Sequence, residues 1–163
     1  MKKLFIVANW KMNGDKRSNK RLVNFINDKV YENQNVEVVI CPPFTYLTQI
    51  LELKKLSIKV GAQNISENKN GAYTGEISGS ILQDMDINYV IVGHSERRQI
   101  YNETNEIIAR KFKLAHQNNL IPIFCVGETL NERKTGQTLS IIESQIKSVF
   151  ELTQVELFAN SII

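Results

Sequence analysis

A rhythm of short apolar runs constrains this chain more than any single residue does. LFIVA from Leu4, VEVVI from Val36, IKVGA from Ile58, NYVIV from Asn88, IPIFCV from Ile121 and a closing SII from Ser161 all have the composition of β-strands. Between most of them lie amphipathic stretches with helical spacing: Leu22, Phe25, Ile26 and Val30; Ile108, Phe112 and Ala115; Leu139, Ile142, Ile146 and Phe150. Strand and helix therefore alternate along the chain. Several of the runs are apolar at nearly every position instead of alternating, which predicts burial on both faces and hence a parallel sheet covered by helices. Right-handed crossovers wind such a sheet one way, and both a doubly wound open sheet and a (β/α)8 barrel fit the pattern. No glycine-rich dinucleotide fingerprint or Walker-type loop follows any run, so the nucleotide-binding open sheets lose their usual support.

The 163 residues suffice for one domain with a hydrophobic core, spanning residues 1–163. The net charge of +3 is mildly basic, and Lys16, Arg17, Lys20 and Arg21 form its one local cluster. No interleaved aromatics or recognition motif accompany them, so this reads as a solvated helix face and no nucleic-acid partner is expected. Cys41 and Cys125 each follow an apolar run, which suits free thiols in a reducing compartment and favours a cytoplasmic location. The apolar run at the start is interrupted by Asn9 and Lys11, too short for export or spanning, and no segment is expected to enter a membrane.

The same interruption is the first candidate for chemistry. In a strand, Phe5, Val7, Asn9 and Lys11 point one way and Ile6, Ala8, Trp10 and Met12 the other. If the odd positions face a barrel interior, Asn9 and Lys11 lie at the carboxyl end of the strand, where such barrels build their active sites. A lysine there suits an anionic substrate such as a phosphate ester; the plain alternative is a lysine reaching solvent at a strand end. The second candidate is NYVIVGHSERR, in which His94 follows a strand through a glycine hinge and precedes Ser95, a residue suited to cap a helix. The positive end of a helix dipole disfavours imidazolium, and a neutral ring can donate a hydrogen bond to a carbonyl. A histidine satisfying local backbone groups is the structural alternative. GHSER is not a nucleophile elbow, because Arg97 stands where the second glycine is needed.

Other positions promise less. Cys125 has no histidine spaced to activate it and reads as a packed thiol. His116 reads as a solvated or capping residue. These scattered side chains make no metal-ligand pattern, and neither a metal nor an organic cofactor is expected. The seventeen residues QNISENKNGAYTGEISG, Gln63 to Gly79, form an abnormally long connection that reads equally as functional or disordered.

Three separated motifs converge: NWKMNG, GAQN…NGAYTGEIS and YVIVGHSERR. With CPPF at Cys41 and FCVGETLNER at Cys125, they resemble the triosephosphate isomerase family in order and interval, from Asn9 onward. The resemblance implies a (β/α)8 barrel and the cofactor-free interconversion of dihydroxyacetone phosphate and glyceraldehyde 3-phosphate through an enediol, in glycolysis and gluconeogenesis. It gives Asn9 and Lys11 to substrate binding, with Lys11 supporting the anion. His94 becomes the electrophile, in a family that is itself the standing example of a histidine kept neutral at a helix N-terminus. Glu96 would stand behind Lys11, and Thr74, Gly75 and Glu76 would form the tip of a loop inserted into the partner of a homodimer.

The same resemblance carries an expectation of incompleteness. A full barrel needs about 250 residues, and this sequence supplies about two-thirds, up to the onset of a sixth strand. The family's glutamate base follows strand six, and neither Glu96 nor Glu128 matches its position. The 163 residues alone are therefore expected to be inactive. Two further readings stand beside the enzyme: a catalytically dead fragment that docks on intact subunits through the long loop, and another phosphosugar-binding barrel, which fails to explain GHSERR and NWKMNG together.

Overall fold

A computed structural model describes residues 4–30, 35–55 and 57–163. Five strands, β1 (Leu4–Asn9), β2 (Val36–Cys41), β3 (Ile58–Ala62), β4 (Tyr89–Val92) and β5 (Ile121–Phe124), pair in the order β1-β2-β3-β4-β5. Every pairing is parallel, with Asn9 opposite Cys41, Gly61 opposite Tyr89 and Val92 opposite Phe124. The sheet curls into an incomplete (β/α)8 barrel. Parallel neighbours need long crossovers, and helices supply them: α1 (Lys16–Lys29), α2 (Leu47–Leu53), α3 (Gly79–Asp84), α4 (Ser95–Gln99), α5 (Asn105–Gln117), α6 (Leu130–Lys134), α7 (Thr138–Leu152) and α8 (Glu156–Ala159).

Local chemistry sets the helix starts. Asp15 accepts the backbone N–H groups of Arg17 and Ser18, and Ser18 returns a bond to the Asp15 N–H, a reciprocal cap on α1. Thr129 and Glu132 do the same for α6, and Thr104 caps α5 by accepting the Ile107 N–H.

Strand alternation sorts the core into two layers. Ile40, Val60, Ala62, Val90, Val92 and Phe124 meet the helices, which contribute Val23, Ile50, Leu82, Ile108, Phe112 and Val149. Val39, Cys41, Tyr89 and Ile91 fill the concave side with Val7, Ile121, Ile123 and Cys125. Odd positions thus face the barrel interior, as the sequence suggested. On that inner side, Tyr89 donates its hydroxyl to the Glu37 carboxylate, and burial followed by that partner raises the phenol pKa. On the outer side, Phe112 meets Phe124 edge-on at 5.6 Å, and Phe158 of α8 lies 5.0 Å from Phe112 and stacks on Phe150 at 4.2 Å.

Two expectations need correction. β1 is apolar on both faces yet not buried on both: Leu4 is 61% and Ile6 58% exposed, since β1 is the edge strand of the sheet among the described residues. The closing SII forms no strand; Ile162 makes an isolated parallel bridge with Ile123, through Phe124 N–H to Ile162 O at 2.7 Å and Ile162 N–H to Pro122 O at 3.0 Å. Among the described residues, no helix is long and apolar enough to cross a membrane.

Candidate active site

The carboxyl ends of the parallel strands gather the polar residues of the sequence motifs. β1 ends at Asn9, and Lys11 lies beyond it in a turn with φ of +51°. Strand alternation therefore does not aim Lys11; a left-handed backbone does, an unusual conformation for a lysine. That turn is tied down on several sides. The Lys11 N–H donates to Asn9 Oδ1 at 2.9 Å, Asn13 donates its amide to Trp10 O at 2.9 Å, and the Trp10 N–H reaches Cys41 O at 3.0 Å. Gln63, just past β3, donates to Lys11 O and Cys41 O, each at 2.9 Å. The sequence signal for Gln63 is an amide directly after the apolar run IKVGA, as Asn9 directly follows LFIVA.

His94 enters from β4 across Gly93, whose φ of +76° favours glycine. A Cβ there would come within 2.9 Å of Arg98 Nη2 and 3.1 Å of Cys125 O. The cap of α4 is His94 itself and not Ser95: its Nδ1 accepts the Glu96 N–H at 3.2 Å. With Nδ1 engaged as an acceptor, the neutral ring carries its proton on Nε2, leaving that N–H as a donor.

Glu96 joins the two candidates. Its Oε1 lies 2.7 Å from Lys11 Nζ and its Oε2 3.5 Å from His94 Nδ1. The hydrogen bond from Lys11 holds this carboxyl below the usual range, opposed in part by desolvation and assisted by the Lys11 charge. Both members of the Lys11–Glu96 pair remain about half exposed, so the pair orients the ammonium without neutralising the rim.

Arg98 fixes the frame behind His94. Its guanidinium donates to Gly93 O at 2.7 Å, Cys125 O at 3.0 Å and Asn105 Oδ1 at 2.8 Å, linking the ends of β4 and β5 to the start of α5. A planar fork carries donors spread over three nitrogens and so spans acceptors on three separate segments, a reach that the compact ammonium of a lysine lacks. Below it, Glu103 binds Arg97 at 2.6 Å and also Lys111, whose ammonium donates to Asn64 Oδ1 at 2.8 Å. Asn64 belongs to the long Gln63 to Gly79 segment, so this network anchors that segment to α5.

The long connection has defined local structure. Ser66 N–H bonds Ile77 O at 2.8 Å, Ser80 Oγ donates to Asn70 Oδ1 at 2.6 Å, and Arg110 pairs with Glu67. Its tip, including Thr74, Gly75 and Glu76, is exposed. The remaining candidates are packed side chains. Burial pushes the Cys41 thiol up to about 12 and raises Cys125 as well. His116 is not a solvated residue: its ring lies 4.9 Å from Phe112, and its Nε2 is 3.0 Å from Ser161 Oγ. Among the described residues, no group of three or more His, Cys, Asp or Glu side chains is placed to hold a metal.

A family model described as triosephosphate isomerase matches residues 4–163. The chain belongs to the triosephosphate isomerase family. It is similar to the triosephosphate isomerase of Alkaliphilus oremlandii, 46% identical over 164 residues, which cover all of this chain and 66% of that protein. Those of Hydrogenovibrio crunogenus and Psychromonas ingrahamii are 47% and 40% identical, again over the whole chain and over 65% and 66% of theirs. The chain thus spans about two-thirds of the length of the curated relatives it matches.

Proposed function

We propose that this chain carries the electrophilic and anion-binding part of a triosephosphate isomerase site, acting on dihydroxyacetone phosphate and glyceraldehyde 3-phosphate. The observation that carries the reading is Glu96. One residue holds the Lys11 ammonium by its side chain and the His94 ring by its backbone N–H. Lys11 supplies positive charge for a phosphorylated substrate and Asn9 fixes the turn that presents it. The His94 Nε2–H donates to the substrate carbonyl oxygen, where negative charge develops as the adjacent carbon loses its proton. A preorganised donor at such an oxygen is worth about 10²- to 10³-fold in rate.

Among the described residues, neither carboxylate of this arrangement is free to act as the proton-abstracting base. Glu96 is bonded to Lys11, and Glu128 accepts from Thr138 Oγ1 at 3.2 Å with Arg133 at 3.4 Å. General acid–base catalysis contributes about 10²- to 10⁴-fold, and without it we expect the 163 residues to give no meaningful turnover. An isomerase assay of this chain beside His94→Gln tests this directly. Equal, background rates are expected; robust turnover that His94→Gln abolishes would mean that a base is present.

The same reading places the reaction in glycolysis and gluconeogenesis in the cytoplasm. It also assigns Thr74, Gly75 and Glu76 to the interface of a homodimer, because the exposed tip stands on a base anchored through Asn64 and Glu67. A second reading is favoured by that exposed tip: a catalytically dead chain that docks on intact subunits. Mixing it with a complete relative would then give a heteromer on sizing, lost when Thr74 and Glu76 are replaced.

A further inference from the structure

We propose that Gln145 is a positioning residue for the His94 cavity, setting through Gly127 the wall that faces the imidazole; this rests on the functional reading of His94 given above. Gln145 lies in α7 and is only 8% exposed, although glutamine is usually a surface residue. Both ends of its amide serve one residue. Oε1 accepts the Gly127 N–H at 2.9 Å and Nε2 donates to Gly127 O at 3.0 Å. A side chain thus supplies the paired bonds that a neighbouring strand would otherwise provide.

Gly127 is the middle of the segment from Cys125 to Thr129, which has no regular secondary structure. One end of this segment is held at Cys125 by the Val92 carbonyl and Arg98, the other at Thr129 by Glu132. Gln145 supplies the hold between them. The segment forms one side of a cavity of about 280 Å³ whose lining includes His94, Ser95, Cys125, Val126, Gly127 and Gln145. A methionine could fill the space of Gln145 equally well. It could not satisfy the two backbone groups of Gly127, which would then turn toward water or other partners. The position of the wall relative to His94 therefore depends on the amide and not on side-chain volume.

The test is Gln145→Met in the isotope-labelled 163-residue chain. It reads hydrogen exchange at the Gly127 amide and the imidazole Cε1–H resonances of the two histidines. His116 serves as internal control, since it packs on Phe112 and Ser161 instead. Exchange at Gly127 is expected to accelerate about tenfold or more. The His94 resonance is expected to move while His116 stays and the α7 amide of Val149 keeps its protection. The proposal is overturned if His94 does not move, if Gly127 keeps its protection, or if both histidines move together. Should the methionine variant fail to fold, Gln145→Glu keeps the length and the acceptor but sets a carboxylate against Gly127 O, and the same criteria apply. None of these readouts involves a triose phosphate. A failure to bind or turn over substrate would count against the functional reading, whereas an unmoved His94 would count against Gln145 alone.

Discussion

Replacing Lys111 with methionine should destabilise the fold by about 3 kcal/mol. The lysine side chain is 4% exposed and its Glu103 partner 6%, so this ion pair is out of water. Removing one member of such a pair costs roughly 3–5 kcal/mol, because the other charge stays buried without its counter-ion. Here Arg97 remains 2.6 Å from Glu103, which favours the lower end of that range even though Asn64 Oδ1 also loses its donor. With a denaturant slope of about 1–3 kcal/mol/M, the urea midpoint by far-UV circular dichroism should fall by about 1–3 M at unchanged slope. Lys111→Met combined with Glu103→Leu should recover much of the loss, since an apolar pair in place of a buried ion pair is often neutral. Arg97, being partly exposed, can then turn to solvent. A single variant within about 1 kcal/mol of the parent would refute the reasoning. So would a double variant less stable than the single.

Gly61→Ala should cost about 1–3 kcal/mol by overpacking. Its Cβ would stand 2.6 Å from Cys41 Sγ and 3.2 Å from Tyr89 Cβ, so Cys41→Ala should restore part of the loss in a thermal melt. His116 should give stability a pH slope. Burial lowers its folded-state pKa below the ordinary 6.5. Its contribution is therefore complete above 6.5 and declines as the pH falls from there toward the lowered folded value. Urea midpoints measured between about pH 7.5 and 5.5 should show a flatter decline for His116→Gln than for the parent.

The order of elements was legible because apolar runs and amphipathic spacing survive any tertiary context. Five of the six runs are strands within a residue or two of their expected limits. The sixth was not, since Ile162 has the composition of a strand but makes only a bridge to Ile123. β1 misled in another way: its side chains declare what they prefer, not whether a neighbour covers them, and Leu4 and Ile6 stay exposed. At the site, residue identities were readable and geometry was not. Lys11 and Glu96 lie 85 positions apart, and nothing local announces their contact at 2.7 Å. Alternation predicted the aim of Lys11 from a strand that has already ended. Ser95 has the better capping propensity, yet the His94 ring takes the bond, because Gly93 turns the chain one residue earlier than composition suggests. Arg98 and Gln145 act by bonding backbone groups on other strands and loops, which leaves no mark in the spacing of a single sequence.

The most direct measurement of the central claim is a titration of the 163-residue chain with dihydroxyacetone phosphate, followed by amide and histidine resonances. The account predicts saturable changes at Asn9, Lys11, Gly93 and His94, with His116 unmoved and the response lost in Lys11→Met. Saturable changes confined to residues elsewhere, or a response that survives the loss of Lys11, would contradict it.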